Sequence, residues 1–304
     1  MEITRKIRLF EPMAESLIMI PARQQLPWHP FREASMPVDQ SVRRMSAGKL
    51  KLEIHPNRQA LGEAAARAAA GELLRLQATR DSIGVIFATG ASQLATLDAL
   101  TSIAGLPWDR VVGFHMDEYI GLDENHPASF RRYMREKLTN RVAMRAFHEV
   151  NGNAANVNAF SREYTHALER ADPALCLLGI GENGHLAFND PGEADFFDPL
   201  TMKAVTLDDA CRGQQVAEGW FGSRNEVPLQ ALTLTVPALM RVPKLIASVP
   251  GSRKAAIVRR TLEDPISTAC PSTILRTHDD ATIYLDAESA AELKDFAWPA
   301  RLGD

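Results

Sequence analysis

The chain has 304 residues, with 34 lysines and arginines against 38 aspartates and glutamates, a formal net charge of −4. Hydrophobic residues make up 45% and charged residues 24%, the proportions of a folded globular protein, which excludes wholesale disorder. So slight an acidity supplies no broad basic field to gather nucleic acid or anionic lipid, and leaves room only for a local basic pocket.

Cys176, Cys211 and Cys270 stand far apart. They form neither a disulfide framework nor a metal-ligand spacing, so reduced thiols and no metal are expected. No apolar run approaches the ~20 residues that span a bilayer. The first residues mix Glu2, Arg5, Lys6, Arg8, Glu11 and Glu15 with apolar side chains, unlike a secretory signal or an Arg-rich transit peptide. A cytoplasmic protein with no membrane or nucleic-acid partner is expected.

Residues 1–49 read apart from the rest. Between Pro21 and Pro37 stand Pro27, Trp28, His29, Pro30 and Phe31, with neither helical nor strand period. Proline fixes φ and removes a backbone donor, so regular structure is not expected there. The stretch reads either as an arm draped over the folded body or a partner subunit, or as a loose tail. The expectation is a largely irregular extension over 1–49 and one domain over 50–304, with the proline-rich arm suggesting a homo-oligomer.

Leu50-Lys51-Leu52-Glu53-Ile54 alternates as a strand does. Pro56 and Asn57 then open an Ala-rich helix with Leu61, Ala65, Ala68, Ala69, Leu73 and Leu76 on one face. Ser82 to Ala88 is a short apolar run, the pattern of a strand buried on both faces. Gly90 ends it, and a helix is expected over 93–103. A strand over 110–116, a helix over 127–138 and a helix over about 157–170 follow. Leu175 to Ile180 is the most apolar strand of the chain. Strands over 231–236 and 244–249, a helix over 253–262, a strand over 282–285 and a short final helix complete the pattern. Strands and helices alternating at these lengths pair in parallel through right-handed crossovers. The fold class is α/β: a three-layer α/β/α sandwich around a mostly parallel, Rossmann-like sheet.

Ligands of such sheets bind beyond the carboxyl ends of the strands. Ala88-Thr89-Gly90-Ala91-Ser92 leaves one strand for a helix. It reads as a phosphate cradle of backbone N–H groups and hydroxyls, or as a plain turn with a serine cap. Phe114-His115-Met116-Asp117-Glu118-Tyr119 puts two acids at a strand end. Neighbouring side chains point apart, so Asp117 and Glu118 are expected to do different work, as a proton carrier in a dry site or as solvated charges and caps. The Gly-rich loop from Gly179 to Pro191 holds His185, whose ordinary pKa suits acid–base work, with Asp190 placed to accept a hydrogen bond from its ring. In Gly251-Ser252-Arg253-Lys254, cations at a helix start oppose the helix dipole unless an anion binds there.

The segments FHMDEYIGLDENHPASF (Phe114 to Phe130) and LLGIGENGHLAFNDPG (Leu177 to Gly192) resemble the glucosamine-6-phosphate deaminase (glucosamine-6-phosphate isomerase) family, with support from Thr89–Ser92 and Gly251–Ala255. The similarity runs from about Leu50 to Ala291 and implies the fold shared with 6-phosphogluconolactonase. It implies ring opening, aldose–ketose isomerisation and deamination of glucosamine 6-phosphate to fructose 6-phosphate and ammonia, with no cofactor. In that likeness Asp117 is the base that moves the C2 proton to C1. His185 moves a proton between O1 and O5, and Asp190 orients it. Asn183 falls where members carry Asp or Asn, and Glu118 stands beside the base. Thr89, Gly90, Ala91, Ser92 and Gly184 are expected to line the substrate site, and Lys254 to bind phosphate. Some members place a phosphate-contacting Arg near Gln215, where Arg212, one turn earlier, is the candidate substitute. The rivals are a 6-phosphogluconolactonase, the same chemistry on galactosamine 6-phosphate, and a non-catalytic sugar-phosphate sensor. Tyr119 after Glu118 and Leu186-Ala187-Phe188-Asn189 after His185 speak against the lactonase.

Overall fold

The computed structural model describes residues 42–294. β1 (Arg43–Ala47) turns through Gly48 into β2 (Leu50–His55), and the two pair antiparallel. β1 thus falls inside the stretch expected to be irregular. Its pairing with β2 orders it, because the alternation of Leu50, Leu52 and Ile54 gives β2 one buried face to hold in register. The proline-rich arm and the residues before it lie outside the described residues.

α1 (Arg58–Leu76) is capped by Asn57, whose side chain accepts the Ala60 N–H at 2.9 Å. β3 (Ile83–Phe87) is buried along its whole length and runs into α2 (Leu94–Ser102). β4 (Val111–His115) is followed at once by β5 (Asp117–Tyr119), which leaves the main sheet. α3 (Phe130–Met134), continued by a π-type turn over Arg135–Thr139, and β6 (Ala146–His148) come next. α4 (Val157–Ala171) leads into β7 (Leu175–Leu178). β8 (Met202–Thr206), α5 (Asp209–Ala217), β9 (Gln230–Leu234) and α6 (Val236–Met240) form an excursion. β10 (Lys244–Val249), α7 (Ala255–Glu263) and β11 (Ala281–Asp286) return to the main sheet.

The main sheet runs β1-β2-β11-β10-β7-β3-β4-β6, parallel throughout except for β1 with β2. α1, α2 and α3 cover one face, over Val85, Phe87, Leu175 and Leu177. α4, α6 and α7 cover the other, over Ile86, Phe114, Cys176 and Leu178. This is the expected three-layer sandwich. β5, β9 and β8 form a separate antiparallel sheet, so the strand expected over 231–236 belongs there and not among the parallel strands. Tyr119, Phe130, Phe188 and Phe221 pack ring against ring on it. Where a short helix is expected after the last strand, the described residues 287–294 form turns.

From β3 the chain steps outward to β4 and β6; from β7 it steps the opposite way to β10 and β11. The strand order reverses between β3 and β7, and the loops leaving their carboxyl ends part there. Such a switch point is where open α/β sheets leave a crevice.

α1 and α2 meet closely because the facing positions are small. A Cβ on Gly62 would lie 2.5 Å from the Ala95 Cβ and 2.7 Å from its carbonyl carbon, whereas one on Gly71, on the same helix, would touch nothing. Gly62→Val is therefore expected to destabilise by about 1–3 kcal/mol through overpacking. Gly71→Ala is expected to stabilise by about 0.5–1 kcal/mol through lost unfolded-chain freedom. Chemical denaturation of both variants checks the opposite signs.

Candidate active site

A cleft of about 210 Å³ opens at the switch point. Its walls are the 88–92 loop after β3, Asp117 after β4, the 179–188 loop after β7, and the 250–254 turn after β10. Met116, Phe130, Ile180 and Phe188 supply apolar lining between the polar groups.

The loop after β7 is folded tightly around one imidazole. Gly184 N–H donates to Gly181 O, and Gly181 N–H to His185 O, both at 3.0 Å. A Cβ on Gly181 would sit 2.3 Å from the His185 ring, so glycine is needed for the ring to lie where it does. His185 Nδ1 meets Asp190 Oδ1 at 2.8 Å. Asn183 Nδ2 donates to the same oxygen at 2.9 Å, and its Oδ1 accepts the His185 N–H at 3.1 Å. The Asp208 N–H reaches Asp190 Oδ2 at 3.3 Å. Burial works against the charge of Asp190, but the hydrogen bonds from His185, Asn183 and the Asp208 N–H prevail and hold its pKa below the ordinary value. A charged Asp190 on Nδ1 leaves Nε2 as the ring's exchanging nitrogen.

Asp117 is the opposite case. It is buried, Oδ1 has no hydrogen-bond partner among the described residues, and burial, aided by Glu118, pushes its pKa well up. β5 pairs it with Thr233 of β9, and Thr233 Oγ1 accepts the Phe188 N–H at 3.1 Å. One threonine therefore registers the strand of Asp117 against the loop of His185. His115, two residues earlier at the end of β4, accepts the Val150 N–H on Nε2 at 2.5 Å, and burial lowers its pKa to about 3, so it stays neutral.

Lys254 lies at the far wall, at the start of α7. Only 7% of it is exposed, and burial pulls its pKa down against the opposing pull of Glu218 and Glu182. Gly90 takes φ +94° in the 88–92 loop at the cleft, and its carbonyl accepts the Tyr133 hydroxyl at 2.9 Å.

Asp117, His185, Thr89, Gly90, Ala91, Ser92 and Lys254 line the cleft together. Asp190 and Asn183 stand behind His185 and act on it. Gly184 faces the core, where an added Cβ would meet Cys270 Sγ at 3.0 Å. So Gly184, expected to line the substrate site, does not, and neither do two further residues read as site residues from the sequence, Glu118 and Arg212. Glu118 is fully buried and accepts from the Tyr119, Phe130 and Arg131 N–H groups, the Ser129 hydroxyl and Arg131 Nε. It anchors the start of α3, since the carboxylate points away from its neighbour as strand alternation requires. Arg212, largely buried, is turned to Arg224 O at 2.6 Å and to Asp209 at 3.6 Å. The cleft is lined instead by Gln215, whose Oε1 accepts the Tyr119 hydroxyl at 2.8 Å, and by Gln214 and Glu218. Arg58 at the start of α1 also lines it, and nothing local in the sequence marks that residue.

Among the described residues one set of metal-type donors converges: His185, Asp190 and Cys211, within 4.8 Å of one another. Nδ1 is already engaged by Asp190, and burial with Asp190 and Asp208 pushes the Cys211 thiol well up, the reverse of what a metal thiolate needs. The set fits a hydrogen-bonded proton relay.

Residues 56–284 match the family model described as glucosamine-6-phosphate isomerases/6-phosphogluconolactonase. A glucosamine-6-phosphate deaminase of Exiguobacterium sibiricum is 32% identical over 228 residues, 74% of this chain and 88% of that protein. One from Listeria monocytogenes serotype 4a is 30% identical over 222 residues, 73% and 93%. The solved structure of a monomeric glucosamine-6-phosphate deaminase superposes with a TM-score of 0.72 at 28% identity, covering 79% of this chain and 99% of that one. The 6-phosphogluconolactonase of Trypanosoma brucei, at 17% identity and TM-score 0.67 over 83% and 100%, shares the fold.

The burial of Asp117 has a thermal signature. An unfolded aspartate titrates near ~3.9. The folded value is higher, so between the two the folded chain takes up a proton, and above both it must ionise a desolvated carboxyl. Asp117 therefore costs stability that grows as pH rises through that window. Asp117→Asn is expected to raise Tm by about 2 °C or more at pH 8, and by less at pH 5. Calorimetry showing an unchanged or lower Tm at pH 8 would contradict the desolvated carboxyl.

Proposed function

The chain belongs to the glucosamine-6-phosphate isomerase/6-phosphogluconolactonase family, and we propose that the two proton-moving units of its cleft act in turn on glucosamine 6-phosphate. The enzyme converts that substrate to fructose 6-phosphate and ammonia. The observation that carries the reading is one cleft holding Asp117 and the His185–Asp190 unit beside a buried lysine.

The substrate is cyclic, and its C2 proton is acidic only beside an open C1 carbonyl. His185 opens the ring: Nε2 takes the O1 proton and returns one to O5, while Asp190 holds the imidazolium formed between. Asp117 then removes the C2 proton and delivers one to C1. The enolamine becomes a C2 iminium, water adds to C2, and ammonia leaves. The ammonium of the amino sugar is the charge that favours an ionised Asp117 despite its burial. The 88–92 loop and Lys254 hold the phosphate, and that remote binding fixes C2 at the base. Gln215, oriented by Tyr119, offers amide donors to the sugar hydroxyls. A phosphorylated sugar does not cross membranes unaided, which supports a cytoplasmic location. Among the described residues no helix is long and apolar enough to span a bilayer.

A coupled assay of fructose 6-phosphate and ammonia is expected to show turnover that falls ~10²-fold or more in Asp117→Asn. Lactone hydrolysis without ammonia release would replace this reading by the lactonase. Gly181→Ala pushes the imidazole off Asp190, and kcat on the cyclic sugar is expected to fall about tenfold or more, with KM moving less. Wild-type kcat in that variant would mean that the ring position is not what sets the rate.

A further inference from the structure

We propose that Arg58 is a phosphate-binding residue of this cleft, working with Lys254. The inference rests on the reading of the cleft as a sugar-phosphate site.

Lys254 is the buried cation of this wall, with Glu218 and Glu182 as its nearest opposing charges. Its ammonium is buried, its pKa is lowered by that burial, and it forms no ion pair among the described residues. Arg253, the next cation on the same turn, is held by Glu182 at 3.3 Å. Arg212 is committed to Arg224 O and does not line the cleft. Gly251 N–H is taken by the Asp286 carboxylate at 3.0 Å and is not free for a ligand.

Arg58 meets this wall from a different element. β2 carries the start of α1 to the rim where the β10 turn also emerges, because β2, β11 and β10 are neighbours in the sheet. Arg58 Nη2 lies 3.2 Å from where a Cβ on Gly251 would stand, so the guanidinium lies against the very turn that presents Lys254. Gly251 gives it the room. Arg58 is exposed at the mouth, lines the cleft, and forms no ion pair among the described residues. It is also the first residue of α1, whose first turn holds no acid. A cation there opposes the helix dipole, and a phosphate bound in front of it reverses the sign. The guanidinium fork matches phosphate geometry where an ammonium supplies a point charge.

The test compares wild type, Arg58→Gln, Arg58→Lys and Arg67→Gln. Arg67 lies on the same helix, exposed and paired with Glu63 at 3.8 Å, and controls for the lost charge. Arg58→Gln is expected to raise KM for glucosamine 6-phosphate about tenfold or more, with kcat within about twofold. Binding of inorganic phosphate, measured by calorimetry, is expected to weaken in step. Arg58→Lys should fall between, and Arg67→Gln should move neither quantity. Unchanged KM and phosphate binding in Arg58→Gln, or the same shift in Arg67→Gln, overturns the proposal. Phosphate binding lost in Arg58→Gln while the wild type fails to turn over the sugar would sink the proposed reaction and keep Arg58 as an anion ligand.

Discussion

The Ala88 N–H donates to Leu177 O at 2.8 Å, the last rung of the ladder between β3 and β7. Past it the two chains part, one toward α2 and the other into the loop of His185. The gap stays narrow because the Gln93 amide spans it, donating to Leu178 O at 3.0 Å and to Ser92 Oγ at 3.2 Å. Thr96 and Ser248 add a hydroxyl pair at 2.8 Å between α2 and β10. A Cβ on Gly179 would meet Ser92 Oγ at 2.9 Å, so the two loops approach closely only over glycine. Loops some ninety residues apart are thereby fixed to one backbone floor, and a cleft built on a ladder holds its geometry better than one built on loops alone.

Within that frame three neighbouring acids are driven to three different ends by their surroundings. Asp190 receives donors on both oxygens and stays charged below its ordinary range. Asp117 receives none on one oxygen and is driven upward. Glu118 is wholly spent on the start of α3. A pair of carboxyls whose environments separate their proton affinities can divide the work of one reaction: one stabilises an imidazolium throughout while the other picks up and delivers a proton. Thr233 joins the two by one side chain and one strand register, so the separation of base and imidazole is set by the small antiparallel sheet.

Much of this was legible in sequence. The apolar runs over 82–88 and 175–180 carry the buried centre of the sheet, and the glycines after them mark loops that approach a ligand closely. The acid pair was legible as two residues with different work, but the spacing alone did not say which of them faces the cleft. Which of Asp117 and Glu118 faces the cleft depends on the chain leaving the main sheet at Met116 to pair with β9, a contact across more than a hundred residues. β8 was not legible because Met202–Thr206 is only half buried and reads as polar loop. Arg58 was invisible for the same kind of reason: its place at the Gly251 turn follows from strand order, and an arginine opening a helix carries no local mark of it.

The cleft is electrostatically uncomfortable at both ends. At one end a carboxyl is desolvated and short of donors; at the other a lysine is buried with no ion pair among the described residues, and cations stand at helix starts. Strain of this kind persists where a ligand removes it. A molecule with an ammonium at one end and a phosphate at the other relieves both at once: the ammonium steadies ionised Asp117, and the phosphate neutralises Lys254. A phosphorylated lactone relieves the lysine alone and leaves the carboxyl as poorly placed as before. On the reading proposed for this cleft, its polarity favours an amino-sugar phosphate over a phosphorylated lactone.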